Sequence, residues 1–283
     1  MDTNSTFPRL SVSAYGLSFE DAEQTFDTVR KAGFVGIEGH EGVSRDGSRE
    51  DFRTLADLAA VYEIPFTSYH LRFTQREDVA SFYETSRREA VKSIVDDMEN
   101  AAALGAETVI LHPSTNHFET TIEGSDRYLD RLSLSLDTLT PDADRLQLRI
   151  AVENMMTPGK ARYFSTPRDI ESFRKRIDHA AVGFCLDTGH ALISMGPERE
   201  LEILDAMADR LIAFHLQDNS RIRDIHLAPG KGFVDFESTF SKIRALGIDE
   251  VMCVECAPFT PYYPFPVDAW AELVRDTKAL VNG

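Results

Sequence analysis

Apolar residues recur along this chain in two alternating rhythms. Short runs rich in β-branched and aromatic residues cover residues 9–14, 34–39, 65–70, 107–112, 148–153, 182–187, 211–216 and 250–255. Between and after them, apolar positions return at helical spacing over residues 19–32, 52–62, 90–104, 128–139, 170–177, 201–208, 236–246 and 269–281. Glycines punctuate the helix-to-strand turns at Gly33, Gly105 and Gly247. Several strands, such as Thr-Val-Ile-Leu at 108–111 and Leu-Ile-Ala-Phe at 211–214, are almost continuously apolar, as parallel strands buried on both faces must be. Eight such strand–helix units predict an α/β fold, a closed (β/α)8 TIM barrel forming one domain over residues 1–283. A doubly wound open sheet would want a glycine-rich phosphate turn after its first strand, and residues 11–16 (Ser-Val-Ser-Ala-Tyr-Gly) offer none.

Polar residues fall at the strand ends. Glu38, His70, His112, Glu153, Asp187, His215 and Glu255 each close one of the second to eighth strands. In a barrel these positions open onto the face where the βα loops build the active site. Residues two positions earlier share their side of the strand, so Ser68, Ile110, Ala151, Cys185, Ala213 and Cys253 should form a layer beneath the last six. Three carboxylates and an imidazole meeting at one buried mouth would repel one another without a cation. Glu153, Asp187, His215 and Glu255 are therefore a candidate site for a divalent metal, and oxygen-rich ligation with one histidine suits manganese, magnesium, cobalt or zinc. His190, Asp224 and His226 sit close by in sequence and, with His70 and His112, are additional metal or substrate candidates.

Composition narrows the choices. The 283 residues carry a formal net charge of −17, with 42% hydrophobic and 27% charged residues. That is ordinary for a soluble globular chain and opposes broad binding to nucleic acid or an anionic membrane. Residues 1–10 lack the regions of a secretory signal, and no apolar run approaches the roughly 20 residues of a membrane span, so a cytoplasmic protein is expected. Cys185, Cys253 and Cys256 cannot build a disulfide framework. Cys253 and Cys256 alternate across a strand, which favours packing over a shared zinc or redox site. His40, His117 and His179 lack corroborating spacing and default to structural or surface roles. Gly230-Lys231-Gly232 is too short for a nucleotide loop and reads as a tight turn. The run Pro-Phe-Thr-Pro-Tyr-Tyr-Pro at 258–264 either lays Phe259, Tyr262 or Tyr263 over a pocket or braces the last connection.

Four segments carry a resemblance: Val-Glu-Asn at 152–154, Gly-Phe-Cys-Leu-Asp-Thr-Gly-His-Ala at 183–191, Phe-His-Leu-Gln-Asp-Asn at 214–219, and Asp-Ile-His-Leu-Ala-Pro-Gly-Lys-Gly at 224–232. Together they resemble the xylose isomerase-like TIM-barrel superfamily, in particular its sugar phosphate isomerase/epimerase group. The resemblance implies a metal on Glu153, Asp187, His215 and Glu255 that grips two adjacent oxygens of a small ketose, polyol-derived ketone or sugar phosphate. Glu153 and Glu255 would then exchange a proton at the neighbouring carbon. Arg221 or Arg223 could bind a substrate oxygen or phosphate, and barrels of this group often form homo-oligomers. Endonuclease IV, a three-zinc phosphodiesterase acting on abasic DNA, is a more distant member and the alternative activity. All nine of its ligand types have counterparts here, but the segment between His215 and Asp224 is shorter, Asp224-Ile225-His226 lacks its middle arginine, and His70 precedes Leu-Arg-Phe instead of a proline-containing stretch. A non-catalytic sugar- or metal-binding barrel is the third class.

Overall fold

The computed structural model describes residues 7–115, 120–157, 162–256 and 267–281. The eight strands are β1 (Leu10–Ser13), β2 (Gly36–Gly39), β3 (Phe66–His70), β4 (Thr108–Leu111), β5 (Arg149–Glu153), β6 (Val182–Asp187), β7 (Leu211–Leu216) and β8 (Met252–Val254). Each pairs in parallel with its successor, and β8 closes back on β1, giving the expected (β/α)8 barrel as a single domain. The run at 258–264, with Phe259, Tyr262 and Tyr263, and His117 lie outside the described residues.

Helices coat the outside: α1 (Ala22–Ala32), α2 (Arg49–Val61), α3 (Glu84–Leu104), α4 (Thr120–Glu123), α5 (Ser125–Leu146), α6 (Pro167–Arg176), α7 (Thr188–Met195), α8 (Leu201–Met207), α9 (Phe236–Ala245) and α10 (Val267–Ala279). α1 shows why they form. Ala22, Phe26, Val29 and Ala32 make one buried stripe, Asp21 caps the first turn by accepting from the Gln24 N–H, and Gly33 ends the helix at φ 92°, where a side chain would be strained. Phe26, Phe52, Phe173, Phe184, Phe240 and Trp270 are buried in the layer between helices and strands. α3 begins at Glu84, six residues ahead of its apolar stripe, because Arg87 is buried there and bonds Glu84 and Ser135.

Inside the barrel, Ile110, Ala151, Cys185 and Ala213 form a cluster of their own, separate from the outer core. These are four of the six residues expected in the layer beneath the strand ends, Ser68 and Cys253 not belonging to the cluster, and its small members leave room for long polar side chains above. All three cysteines are free and buried, as packing residues would be. Gly183 permits the close approach of β6 to β7: a Cβ there would lie 2.6 Å from the Arg210 carbonyl oxygen and 2.8 Å from Ile212. Gly183→Ala is expected to destabilise the barrel by about 1–3 kcal/mol. A thermal melt should show a loss of roughly 2–4 °C for each kcal/mol.

Candidate metal centre

The parallel register carries the site. Asp187 stands opposite His215 across β6 and β7, Glu153 opposite Cys185 across β5 and β6, and Glu255 directly follows β8. Alternation along each strand turns these side chains into the mouth, above the small apolar layer. Glu153, Asp187 and His215 are at most 1% exposed. One ligand atom from each of Glu153, Asp187, His215 and Glu255 falls within 4.8 Å of all the others.

Protein groups leave this cluster unsatisfied. His215 Nδ1 lies 3.4 Å from a Glu153 oxygen and 3.1 Å from a Glu255 oxygen. Yet buried His215 Nδ1 and Glu153 Oε2 have no aligned hydrogen-bond partner. Three carboxylates and an imidazole nitrogen gathered at one buried point suit a cation, and buried His/Glu clusters of this kind are typical of divalent-metal sites.

Burial and charge set the protonation states. Burial pushes the Glu153 carboxyl up, but the imidazoles of His215 and His112 outweigh it and hold Glu153 well below the usual carboxylate range. Glu255 follows the same logic, brought down to about 2 by His215 despite its burial. Asp187 goes the other way: burial raises it to about 6 against the pull of His190, with Glu153 and Glu255 adding repulsion.

A second layer fixes the orientation of the first. His215 Nε2 faces both oxygens of Glu38, at 3.0 and 3.3 Å, while the Ser68 hydroxyl donates to Glu38 at 2.7 Å. A proton on Nε2 directed at Glu38 leaves Nδ1 free to ligate. The Gln217 amide donates to both oxygens of Asp187, at 3.1 and 2.9 Å, and Asn154 accepts from the Asp187 N–H. Asp187 also caps α7, accepting from the His190 N–H at 2.6 Å, which fixes His190 beside it. Gly189 has no room for a side chain, since a Cβ would lie 2.4 Å from the Asn219 amide nitrogen and 2.5 Å from the Gln217 amide oxygen.

The remaining histidines complete a wider ring. His112 Nε2 lies 3.2 Å and His70 Nε2 3.7 Å from Glu153, with His70 Nδ1 held by the Leu71 carbonyl at 2.8 Å. His190, Asp224 and His226 form a separate cluster with ligating geometry, Asp224 lying 3.4 Å from His190 and 3.2 Å from His226. His226 adopts φ 45°, a strained backbone that the Asp218–Leu227 bridge pins in place. Above lies a cavity of about 410 Å³ with Glu153, Glu255, His112 and His190 among its lining and Phe73, Met155 and Met156 along its sides.

The structure thus brings together the nine ionisable candidates. Arg221 and Arg223 are exposed and absent from the cavity lining; Arg221 lies over the Phe233 ring, 4.0 Å from its centroid. His40 stacks on Tyr15 at 4.0 Å and His179 approaches Asp144 at 3.6 Å. Gln217, Asn154 and Arg162 were not singled out by sequence reasoning. Gln217 had a signal, lying two residues beyond His215 and so on the same side of the chain; Arg162 had none.

A barrel with a carboxylate–histidine cluster at its mouth defines the class: a TIM barrel with a candidate divalent-metal centre. The Xylose isomerase-like TIM barrel family matches residues 26–278, and the chain belongs to it. An uncharacterized protein of Sinorhizobium fredii is 29% identical over 83% of this chain and 70% of its own length. A probable endonuclease 4 of Campylobacter curvus is 24% identical over 65% of each. Among solved structures, a D-tagatose 3-epimerase-like protein superposes with TM-score 0.79 at 23% identity, covering 97% of this chain and 98% of that one. An IOLI protein with a bound zinc atom gives TM-score 0.77 at 18% identity, covering 97% and 98%. No helix among the described residues is long and apolar enough to cross a membrane.

If Glu38 sets the His215 tautomer, Glu38→Gln should weaken zinc or manganese binding by about 10- to 100-fold. Competition against a chelating dye reads the affinity, and the melting temperature of the metal-free variant checks that the fold is retained.

Proposed function

We propose that this protein is a metal-dependent isomerase or epimerase of a small ketose, polyol-derived ketone or sugar phosphate. The observation that carries the reading is the pair Glu153 and Glu255, two ionised carboxylates within one candidate ligand set and both lining the cavity. Glu153, Asp187, His215 and Glu255 would hold a divalent metal, one of manganese, zinc, cobalt or magnesium, which when bound would supply Lewis-acid polarisation of a carbonyl. One glutamate, ionised, would take a proton from the carbon beside that carbonyl, and the other, first protonated from solvent, would deliver its own proton to the opposite face of that carbon, the two then resetting by exchange with solvent. A positioned carboxylate contributes roughly 100- to 10,000-fold in such a transfer. Phe73, Met155 and Met156 limit the water that competes for the carbanion. The sugar epimerase-like barrels among the structural neighbours support this substrate class.

A second reading, metal-dependent cleavage of abasic DNA, draws on the separate His190–Asp224–His226 cluster and the endonuclease 4 relatives. The formal charge of −17 weighs against it, because a polyphosphate backbone must approach against that field. Nicking of an abasic duplex by zinc-loaded protein at low salt would favour this activity over sugar chemistry.

Incubating metal-loaded protein with a ketose panel in deuterated water should exchange the proton beside the carbonyl. Glu255→Gln should slow that exchange by at least about 100-fold with a much smaller change in ketose affinity. No exchange for any ketose would sink the proton-transfer reading.

Metal affinity should also depend on pH. Burial disfavours charge on His226, but its hydrogen bond to Asp224 outweighs this and lifts it to about 9. His190 and His215 are likewise raised well above the usual histidine value, against burial, by the carboxylates around them. A cation on Glu153, Asp187, His215 and Glu255 must displace the His215 proton and is repelled by charge on His190 and His226, so affinity is expected to rise from pH 6 toward pH 9 with net proton release. Calorimetry in buffers of different ionisation enthalpy measures the protons released; a flat profile would refute this account.

A further inference from the structure

The cavity holds one feature that proton transfer does not use. Among its described lining residues, Arg162 is the single lysine or arginine. It sits in the connection between β5 and α6, two elements that fix that connection at both ends. The residues that follow it are anchored. The Arg162 carbonyl accepts from the Ser165 hydroxyl at 2.7 Å, and Ser165 accepts from the Thr157 hydroxyl at 2.6 Å. Tyr163 stacks on Tyr128 with centroids 5.4 Å apart, and Phe164 packs on Phe173 at 5.2 Å. Phe164 adopts φ 68°, a left-handed conformation that a phenylalanine takes only under constraint, and its carbonyl accepts from the Met155 N–H. Two aromatic side chains are thus driven into the core while the preceding arginine turns into the cavity.

Glu153, Asp224 and Asp78 act on the guanidinium electrostatically. Among the described residues it joins no ion pair and no side-chain hydrogen bond. Asp78, one of the acids near it, uses Oδ1 to accept from the Ala80 N–H, the Ser114 hydroxyl and the Thr115 N–H. Glu153 and Asp224, the others, are engaged by histidines of the candidate metal clusters. Burial lowers the Arg162 pKa, so its positive charge is held partly away from water. A desolvated, planar five-donor group facing an open cavity is suited to an oxyanion.

We propose that Arg162 is an oxyanion subsite, receiving a phosphate or carboxylate that the ketose carries away from its reacting carbon; this rests on the isomerase or epimerase reading for its ketose and on the cavity alone for its anion. The exposed Arg221 and Arg223 are not among the residues that line the cavity. The cavity's 410 Å³ falls within the range of about 300–1,000 Å³ usual for small-molecule sites.

Two measurements on the zinc-loaded full-length protein test it. Calorimetric titration with inorganic phosphate reads the subsite without turnover. Arg162→Met should weaken phosphate by about 10- to 100-fold, the share of a charge-assisted hydrogen bond, and Arg162→Lys should fall between. Wild-type phosphate affinity in both variants overturns the proposal, and Arg162→Lys carries the comparison should the Met variant unfold. In the second measurement, solvent exchange is followed with D-fructose, D-fructose 6-phosphate and D-fructuronate, which separates phosphate from carboxylate as the preferred group. KM for the preferred anion should rise in Arg162→Met by at least about tenfold more than KM for neutral fructose, with kcat less affected. Equal losses for charged and neutral ketoses overturn the proposal. If no ketose exchanges at all, the proton-transfer reading fails while the phosphate titration still decides the role of Arg162.

Discussion

Charge confined in a water-poor barrel mouth is the constraint on which the rest of this structure depends. Glu153, Asp187 and Glu255 converge on His215 where solvent is nearly excluded, and carboxylates so placed are tolerated only with compensating positive charge. Protonated imidazoles supply that charge in the metal-free protein, which is why Glu153 and Glu255 are held down while His190 and His215 are held up. A divalent cation would supply it more compactly and release those protons.

The outer polar groups make sense on the same basis. Glu38 holds the far side of His215, Gln217 holds Asp187, and Asn219 donates to both Gln217 and Asp224, so His215 and Asp187 each have a partner on the side away from the candidate cation. Such backing prevents rotamer drift that would cost a preorganised site its geometry. It also explains why Gly189 must be a glycine: the amides of Gln217 and Asn219 occupy the space a side chain would need.

Much of this was legible in the chain because barrel geometry ties sequence position to spatial position. Every one of the eight expected strands is present, and His70, Glu153, Asp187 and His215 end or nearly end theirs. The errors have local causes. α3 starts earlier than its apolar stripe because its first turns are polar and held by Arg87. α7 went unmarked because Thr188 and Gly189, poor helix formers, open it; the Asp187 cap and the packing of Thr188 against Gln217 compensate.

By itself, the sequence determined the barrel, the identity of the ring of acids and histidines, and the small side chains beneath them. Two periodicities, 2 for strands and 3.6 for helices, carry that information locally. Only the tertiary structure decided which groups share a cavity. Arg221 and Arg223 follow the His215 strand closely yet lie outside the cavity lining, whereas Arg162, far from it in sequence, lines the cavity together with Asp224 and His226. The physical reason is that loop side chains have no repeating rule: their direction is set by which neighbours bury their flanks, here Tyr163 and Phe164 beside Arg162.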